Sequence, residues 1–584
     1  MILIFGGTTE GRLAADVCDQ SGKPFYYSTK GSMQDVEMHN GVRLTGAMSA
    51  EDIVAFCREH DVTCIVDAAH PFAENLHREI AQTGLQVVRL ERSYADAPVG
   101  VTYCDDYDDA IRRMEQADVH CLLALSGANT ISRLKPYWQQ HRTIFRILPR
   151  AESIDVAKQN SLPDESIIFY NNDLTIPTVD SEVETMRACR CDAILTKQSG
   201  ESGGFMAKVE AAQRLGISVF VVKAPRPSYP WCYVSGRHTL RRAIEHFVPE
   251  FFPLRTGLTT GACATAAAKA AVMSLLFDDL PEEVSFALPD GEVLSIPVEC
   301  TKRGSATVVK PDNDDPDVTK GCRITVSASR DVTQCEAQHI AFTRGEGVGM
   351  VTLPGLGIPV GEPAINPTPR RMIEQEIRAL TADSLRIEVS VADGAEIAKR
   401  TFNHKVGVTG GISIIGTSGI VHPLSNEAFI ESIRREMQVA RAVGCKQIAL
   451  VSGMKSERRL RESLPEASRR YVHYGNFIGE ALKAAQQSGF TDVVIGIMIG
   501  KAVKLAEGHL DTHSHKVTMN KAFLRSLAPD QSEHIDSITM ARQLWDFMPP
   551  SFFERLRGEC LKHCKTVFPH NIDIRIICDN EQQS

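Results

Sequence analysis

At 584 residues the chain is longer than one hydrophobic core sustains, so at roughly 150 residues per domain it reads as three or four packed lobes. Its 43% hydrophobic and 23% charged residues lie near the globular average, which excludes a disordered, collagen-like or coiled-coil chain. A formal net charge of -9 gives no global basic footprint for a phosphate backbone, so no nucleic-acid partner is expected, whereas local Arg and Lys clusters can still bind small anions.

From Met1 to Val248 short apolar runs alternate with amphipathic segments. Strands are expected at Ile2–Phe5, Phe25–Ser28, Cys64–Ala68, Val87–Leu90, Leu122–Leu125, Ile167–Tyr170, Ala193–Thr196 and Val219–Val222, with helices such as Arg12–Asp19, Glu51–Glu59, Glu74–Gln82 and Met206–Leu215 between them. Repeated βα units predict largely parallel sheets in two lobes that meet near residues 130–150. Pro249-Glu250-Phe251-Phe252-Pro253 then breaks the pattern and reads as a linker. Beyond it an alanine-rich helix (Ala262 to about Phe277) precedes a hairpin, Val284–Leu288 with Val293–Val298, and strands at Ala306–Val309 and Ile324–Ala328, the texture of an antiparallel α+β lobe. After His422 the βα rhythm returns, with helices at Asn426–Val443 and Phe477–Gln487 and strands at Ile448–Val451 and Val493–Ile499. No apolar run approaches the roughly 18 residues of a membrane span, so no membrane partner is expected. The cysteines lack a C-x-x-C pair and Met1–Phe5 runs straight into a glycine turn rather than a signal peptide, so reduced thiols and a cytoplasmic location are expected. A homo-oligomer is left open.

Gly6-Gly7-Thr8-Thr9-Glu10-Gly11-Arg12 follows the first strand and opens a helix, where free amides and the helix dipole favour a phosphate. The second strand ends in Ser28-Thr29-Lys30, hydroxyls and a cation where an NAD site usually has an acid, so Gly6, Gly7, Thr8, Thr9, Glu10, Ser28 and Lys30 are read as cofactor-binding, with NADPH favoured over NADH. Asp67-Ala68-Ala69-His70-Pro71 lies at a strand's C-terminal end, where open parallel sheets place ligands, and the prolyl bond keeps His70 out of a helix. Lys197-Gln198-Ser199-Gly200 repeats the strand, glycine loop, helix arrangement further on. These motifs, with Arg89-Leu90-Glu91-Arg92 and Lys208-Val209-Glu210-Ala211-Ala212, resemble the precorrin-6A reductase family of cobalamin biosynthesis over about residues 1–230. Ala68-Ala69 stands in place of the family's more usual Ala-Thr, and Ser126-Gly127-Ala128-Asn129 fits its equivalent loop only loosely. The resemblance implies hydride transfer from a reduced nicotinamide to a carbon–carbon double bond of a cobalt-corrinoid macrocycle, with Asp67, His70, Lys197 and Ser199 on the substrate side.

In the C-terminal half Arg255-Thr256-Gly257-Leu258-Thr259-Thr260-Gly261 sets hydroxyls and glycines before a long helix; capping explains one threonine, and the whole run looks like an anion cradle. Lys310-Pro311-Asp312-Asn313-Asp314-Asp315-Pro316-Asp317 lacks the spacing of an EF-hand, and neither His509, His513 and His515 nor Cys560, His563 and Cys564, read as exposed helix residues, completes a tetrahedral set, so no metal site is expected. Glycines at 345–349 and 407–419 require close approach of backbone to another strand or to a ligand. With Glu362 to Arg370, Ala398 to Asn403 and Ile499-Gly500-Lys501, these segments closely resemble the cobalt-precorrin-5B C-methyltransferase family over about residues 254–515, although Asn313 stands where that family usually has Gly and Met498-Ile499-Gly500-Lys501-Ala502 varies its His-Ile-Gly-Lys-Leu. The resemblance implies S-adenosyl-L-methionine as donor, held near Gly407, Gly410, Gly411 and Gly453. It also implies cobalt-precorrin tetrapyrrole substrates met by Arg255, Thr259, Thr260, Asn366, Arg370, Asn403 and Lys501.

The expectation is an α/β two-lobed Rossmann-like reductase (1–248), a linker (249–253), and a methyltransferase with an α+β lobe plus an α/β lobe (254–525) and a C-terminal extension (526–584). Methylation at carbon-1 would be followed by NAD(P)H-dependent reduction. A nucleotide-sensing, non-catalytic N-terminal domain and a corrinoid carrier are the alternatives. No catalytic acid or base is assigned.

Overall fold

Tetrapeptides buried on both faces, such as Ile2–Phe5, Cys64–Asp67 and Val87–Leu90, form interior strands of parallel sheets. The computed structural model describes residues 1–584 except 32–35, 93–99, 171–176, 199–203, 226–227, 278, 331–338, 465–468, 514–518 and 579–584. Its first compact unit, Met1–Pro253, contains two six-stranded sheets in which every pairing is parallel.

In chain order the strands are β1 (Ile2–Phe5), β2 (Phe25–Thr29), β3 (Gly41–Thr45), β4 (Cys64–Asp67), β5 (Val87–Leu90), β6 (Val101–Cys104), β7 (Cys121–Ala124), β8 (Arg142–Ile147), β9 (Ile167–Phe169), β10 (Ala193–Lys197), β11 (Ser218–Val222) and β12 (Cys232–Val234). The first sheet runs 12-5-4-1-2-3 and the second 6-11-10-7-8-9. Each reverses its direction of strand addition once, between β1 and β4 and between β7 and β10, and such switch points open crevices beyond the strands' carboxyl ends. The two sheets exchange strands between β5 and β6 and again between β11 and β12. The expected meeting near residues 130–150 is therefore corrected, because the buried run Arg142–Ile147 is an interior strand of the second sheet. Phe251 and Phe252, each 3% exposed, belong to the same core cluster as Ile2, Val66 and Leu240, so the Pro-bracketed pentapeptide is anchored to the first sheet's core.

The second compact unit is Leu254–Ser584. The helix Thr260–Phe277 is apolar all round and buried accordingly, with Ala262, Ala264, Ala267, Ala268 and Ala271 at 0% exposure. By length and composition it could cross a membrane, contrary to the expectation that no run is long enough, but 72% of it is buried inside the protein. It packs on a sheet ordered Glu299–Lys302, Ser305–Val309, Arg323–Arg330, Leu385–Val391, Ile340–Arg344, antiparallel except for the last pairing. A four-stranded parallel sheet follows in the order Arg469–His473, Gln447–Val451, Asp492–Met498, Asn571–Ile577, with its switch point between the two middle strands. Residues beyond 525 belong to this body, supplying an edge strand and the helix Pro550–Lys565.

Candidate functional site

At the first switch point Gly6 N donates to Ser28 O (2.9 Å). A Cβ on Gly6 would lie 2.2 Å from the Tyr27 ring and one on Gly11 2.8 Å from Gly6 Cα, so these glycines let the helix Thr9–Asp19 close on the strands. Gly7, at φ +96°, has open space where a Cβ would stand. Thr8 Oγ1 accepts from Gly11 N (2.9 Å) and donates to Ala68 O (2.7 Å), capping the helix and tying the β1 and β4 loops across the crevice. Other amides of that first turn, at Thr9 and Glu10, sit at the helix's positive end. Arg92 grips Glu10 bidentately (2.7 and 2.6 Å); burial pushes the carboxyl up, but the guanidinium holds it below its ordinary range, so its charge is already matched. Ser28 is buried at the end of β2 and Lys30 is exposed beyond it. The guanidiniums of Arg43 and Arg12 act on the neighbouring Tyr27 hydroxyl.

Asp67 is placed differently from the expectation that it meets substrate. It is 0% exposed, its carboxylate 3.0 Å from Arg89 Nη1 and 2.8 Å from His77 Nδ1 while accepting from Ala69 N (3.1 Å). His77 Nε2 in turn meets His70 O (3.1 Å). The group is a buried scaffold that fixes the His70-Pro71-Phe72 turn, and His77 and Arg89 are the partners that sequence reasoning left without a role. Only the Glu74–Gln82 amphipathic pattern, which places His77 on the buried face, signalled the first of them.

His70 itself faces the crevice. Burial, then the charges of Arg92 and Lys197, press its imidazole down to about 4. Lys197 ends β10 at the second switch point, and its Nζ lies 4.7 Å above the Phe72 ring from the first sheet's β4 loop. Arg133 and Glu74 pair across the same gap (3.1 Å). The two switch points thus converge on one crevice holding His70, Arg92, Arg133 and Lys197. Ser199 lies outside the described residues.

In the second unit most predicted anion contacts are already satisfied internally. Arg255 is held by Asp314 (2.8 Å) and Asp312 (3.4 Å), and Arg370 by Ile365 O, Pro363 O and Glu362. Thr259 caps the long helix through Ala262 N, and Thr260 Oγ1 accepts from Ile415 N (2.9 Å), so of the two threonines Thr259 is the cap. Asn403 Nδ2 holds Gly411 O (3.1 Å), and Asn366 N donates to Ile414 O. The cradle expectation is corrected: Thr260 ties the 407–416 loop to the long helix, Asn366 and Asn403 tie that loop to their own segments, and Arg255 is taken up by Asp312 and Asp314. The glycines behave alike, since a Cβ on Gly407 would strike the Leu353 side chain at 2.4 Å and one on Gly411 the Gly347 carbonyl at 2.3 Å. Their close approach is to protein; Gly410, at φ +78°, meets only Arg344 at 3.4 Å. Cys560 and Cys564, expected on an exposed face, are 0% exposed, and burial pushes the Cys564 thiol up to about 12.

What stays open lies beyond the four-stranded sheet. Gly453, after Gln447–Val451, has nothing within 4 Å of a Cβ. Lys501, just after Asp492–Met498, gives one proton to Gly475 O (2.5 Å) and keeps two donors; burial, then Lys504, lowers its amine. Phe429, partly exposed, lies against Gly475 and the Phe477 ring. Below this crevice is an unforeseen charged cluster: Glu457 meets His473 (2.5 Å), Arg461 (2.7 Å) and Lys405 (3.8 Å), and Glu436 adjoins Lys405 and Arg470. Burial lifts Glu436 to about 7 against those two cations. Folding therefore holds its proton, and the stability this contributes is complete below about pH 4.3, the unfolded value, and lost as pH rises through about 7. The loss is on the order of 3–4 kcal/mol. Glu436→Gln should flatten that slope, raising the urea midpoint of the C-terminal transition at pH 8 relative to wild type; an unchanged slope between pH 5 and 8 would refute it.

A nucleotide-type parallel fold with a cationic crevice, joined to a second unit with its own switch-point crevice, defines a two-site enzyme. A family model described as precorrin-6x reductase CbiJ/CobK matches residues 1–247, and the CbiD model matches 249–423. A cobalt-precorrin-5B C(1)-methyltransferase of Prosthecochloris aestuarii is 42% identical over 339 residues, 54% of this chain and 91% of that protein. One of Moorella thermoacetica is 40% identical over 280 residues, 47% and 75%. A solved CobK precorrin-6A reductase is 23% identical, covering 42% of this chain and 97% of its own, with a TM-score of 0.34. The chain belongs to the cobalt-precorrin-5B C(1)-methyltransferase family over its C-terminal half and to the precorrin-6x reductase family over its N-terminal half.

Proposed function

We infer that this is a bifunctional enzyme of corrin-ring biosynthesis, which methylates cobalt-precorrin-5B at carbon-1 to cobalt-precorrin-6A and reduces (cobalt-)precorrin-6A to precorrin-6B. The observation that carries the reading is the convergence of two switch points on one cation-rich crevice beside the Gly6–Thr8 turn.

For the reductase, the open side of Gly7 and the first-turn amides at Thr9 and Glu10 suit a pyrophosphate, and Lys30 with Arg12 and Arg43 suits the extra phosphate of NADPH over NADH. Bound there, the nicotinamide supplies the hydride. Arg92 and Arg133, each already paired with a carboxylate, line the side of the crevice offered to the acetate and propionate side chains of the macrocycle, and His70, neutral at physiological pH, lines the same wall without adding charge. The Asp67–His77–Arg89 scaffold holds that wall still.

For the methyltransferase, S-adenosyl-L-methionine fits best beyond Gly453, where backbone is open, rather than at Gly407 and Gly411, whose space is filled by protein. The sulfonium supplies an activated methyl, so the chain's task is alignment and exclusion of water. Lys501 offers two donors to a substrate carboxylate, and Phe429 offers an apolar face to the ring. Arg255 and Arg370 steady the loops behind it.

The test is incubation of the purified chain with cobalt-precorrin-5B and S-adenosyl-L-methionine, with and without NADPH, read by mass and absorbance. The expected products gain one methylene without NADPH and two further hydrogens with it. Methylation without any NADPH oxidation would instead favour a nucleotide-sensing N-terminal unit, and tight binding with no S-adenosylhomocysteine a carrier.

A further inference from the structure

Reduction of a double bond by hydride needs a proton as well, and the crevice of the N-terminal unit contains few groups able to give one. Glu10 is held ionised by Arg92, so it has no proton to release at neutral pH. Arg92 and Arg133 retain theirs at any working pH. His70 is neutral there, and its Nδ1 accepts from Phe72 N (3.2 Å). The Asp67–His77–Arg89 group is sealed beneath the turn. Lys197 remains. It stands at the carboxyl end of β10, at the second sheet's switch point, half-buried, and leans across onto the Phe72 ring of the opposite wall. Among the described residues no carboxylate lies within ion-pair distance of its Nζ.

We propose that Lys197 is the proton donor of the reductase, delivering a proton from its ammonium to the substrate atom adjacent to the one that receives the hydride. The proposal rests on the reductase reading and deepens it. In the balanced step one carbon of the double bond takes hydride, with its electron pair, from the reduced nicotinamide, which leaves oxidised. The neighbouring atom forms a new bond to hydrogen as a Lys197 N–H bond breaks, and solvent then reprotonates the neutral amine. The surroundings tune it for this: burial and the Arg133 guanidinium bring the amine down to about 8, opposed by Glu74, while the facing His70 turn is uncharged and Phe72 supplies only its ring. An amine of that strength is mostly protonated at neutral pH yet releases its proton readily.

Lys197→Arg keeps the charge and removes the transferable proton, and Lys197→Met removes both. Each should lower kcat for NADPH-dependent reduction by about 10²–10³-fold. The arginine variant should keep the wild-type KM, and the fall of the wild-type rate as pH rises through about 8 should vanish in both. Retained methyltransferase activity and an unchanged melting transition of the N-terminal unit show that the variants fold. A second readout needs no substrate: in the ligand-free chain with ¹³C-dimethylated lysines, the resonance missing from Lys197→Arg should titrate near 8. Full kcat with an intact alkaline limb in Lys197→Arg overturns the proposal, as does a raised KM with unchanged kcat, which marks a binding role, or a resonance titrating near the ordinary lysine value. Failure of the wild-type chain to oxidise NADPH would instead remove the reductase reading itself.

Discussion

Asp67→Ala should destabilise the N-terminal unit by about 3–5 kcal/mol and abolish NADPH-dependent reduction, although Asp67 touches no solvent. Its carboxylate is the shared counter-charge of Arg89 (3.0 Å) and His77 (2.8 Å), side chains only 3% exposed. Deleting it leaves a guanidinium in a dry interior with only carbonyl acceptors, Asp67 O and Ala69 O, and frees His77 from the position in which it meets His70 O. Asp67→Asn preserves the shape and an acceptor for Ala69 N while losing the charge, so it should cost roughly half as much. Urea unfolding followed on the N-terminal transition checks both. A loss below about 1 kcal/mol for the alanine variant would show that the buried ion group contributes nothing to this fold.

The second large effect lies in the methyltransferase unit. Gly347, Gly394 and Gly411 meet around one carbonyl: Gly347 O accepts from Ile412 N (2.9 Å), and a Cβ on Gly394 or Gly411 would fall 2.2 or 2.3 Å from that oxygen. A Cβ on Gly347 would itself sit 1.9 Å from Val391 O, at a φ of +73° that side chains rarely adopt. Both colliding partners are backbone, so neither can rotate away. Gly347→Ala should therefore cost roughly 4 kcal/mol or more and remove methylation, with NADPH oxidation by the N-terminal unit retained. Gly410→Ala is the control: its φ is also positive at +78°, but its nearest neighbour is a mobile arginine at 3.4 Å, and about 1 kcal/mol of strain is expected. Equal thermal shifts for the two variants would mean that the clash is relieved elsewhere.

How far the sequence could be read depended on whether a signal was local. The strands Ile2–Phe5 and Val87–Leu90 and the helix Glu74–Gln82 were legible from periodicity alone, because burial on both faces, or along one helical stripe, is written into neighbouring residues. Gly41–Thr45 and Val101–Cys104 were not, being half-exposed edge strands whose identity depends on the partner they pair with. Among the expected site residues, Lys197 and His70 were legible as candidates because each lies at or just past the carboxyl end of a strand. Asp67, two positions past Ile65 on a fully buried strand, carried the same label and proved to be scaffold, and the Glu436–Lys405–Glu457–His473 cluster left no trace because its members are far apart in the chain.

The amino-acid sequence by itself determined that two enzymes share one polypeptide and which loops end strands in glycine and threonine, since these follow from residue order and short-range sterics. Only the tertiary structure decided which charges are spent and which are free. Arg255, Arg370 and Asp67 are neutralised by partners 8 to 59 positions away or by backbone carbonyls, whereas the Lys197 ammonium faces an aromatic ring and the Lys501 ammonium keeps two donors. A charged group's availability is set by what stands within a few ångströms of it, and that neighbourhood is assembled by folding.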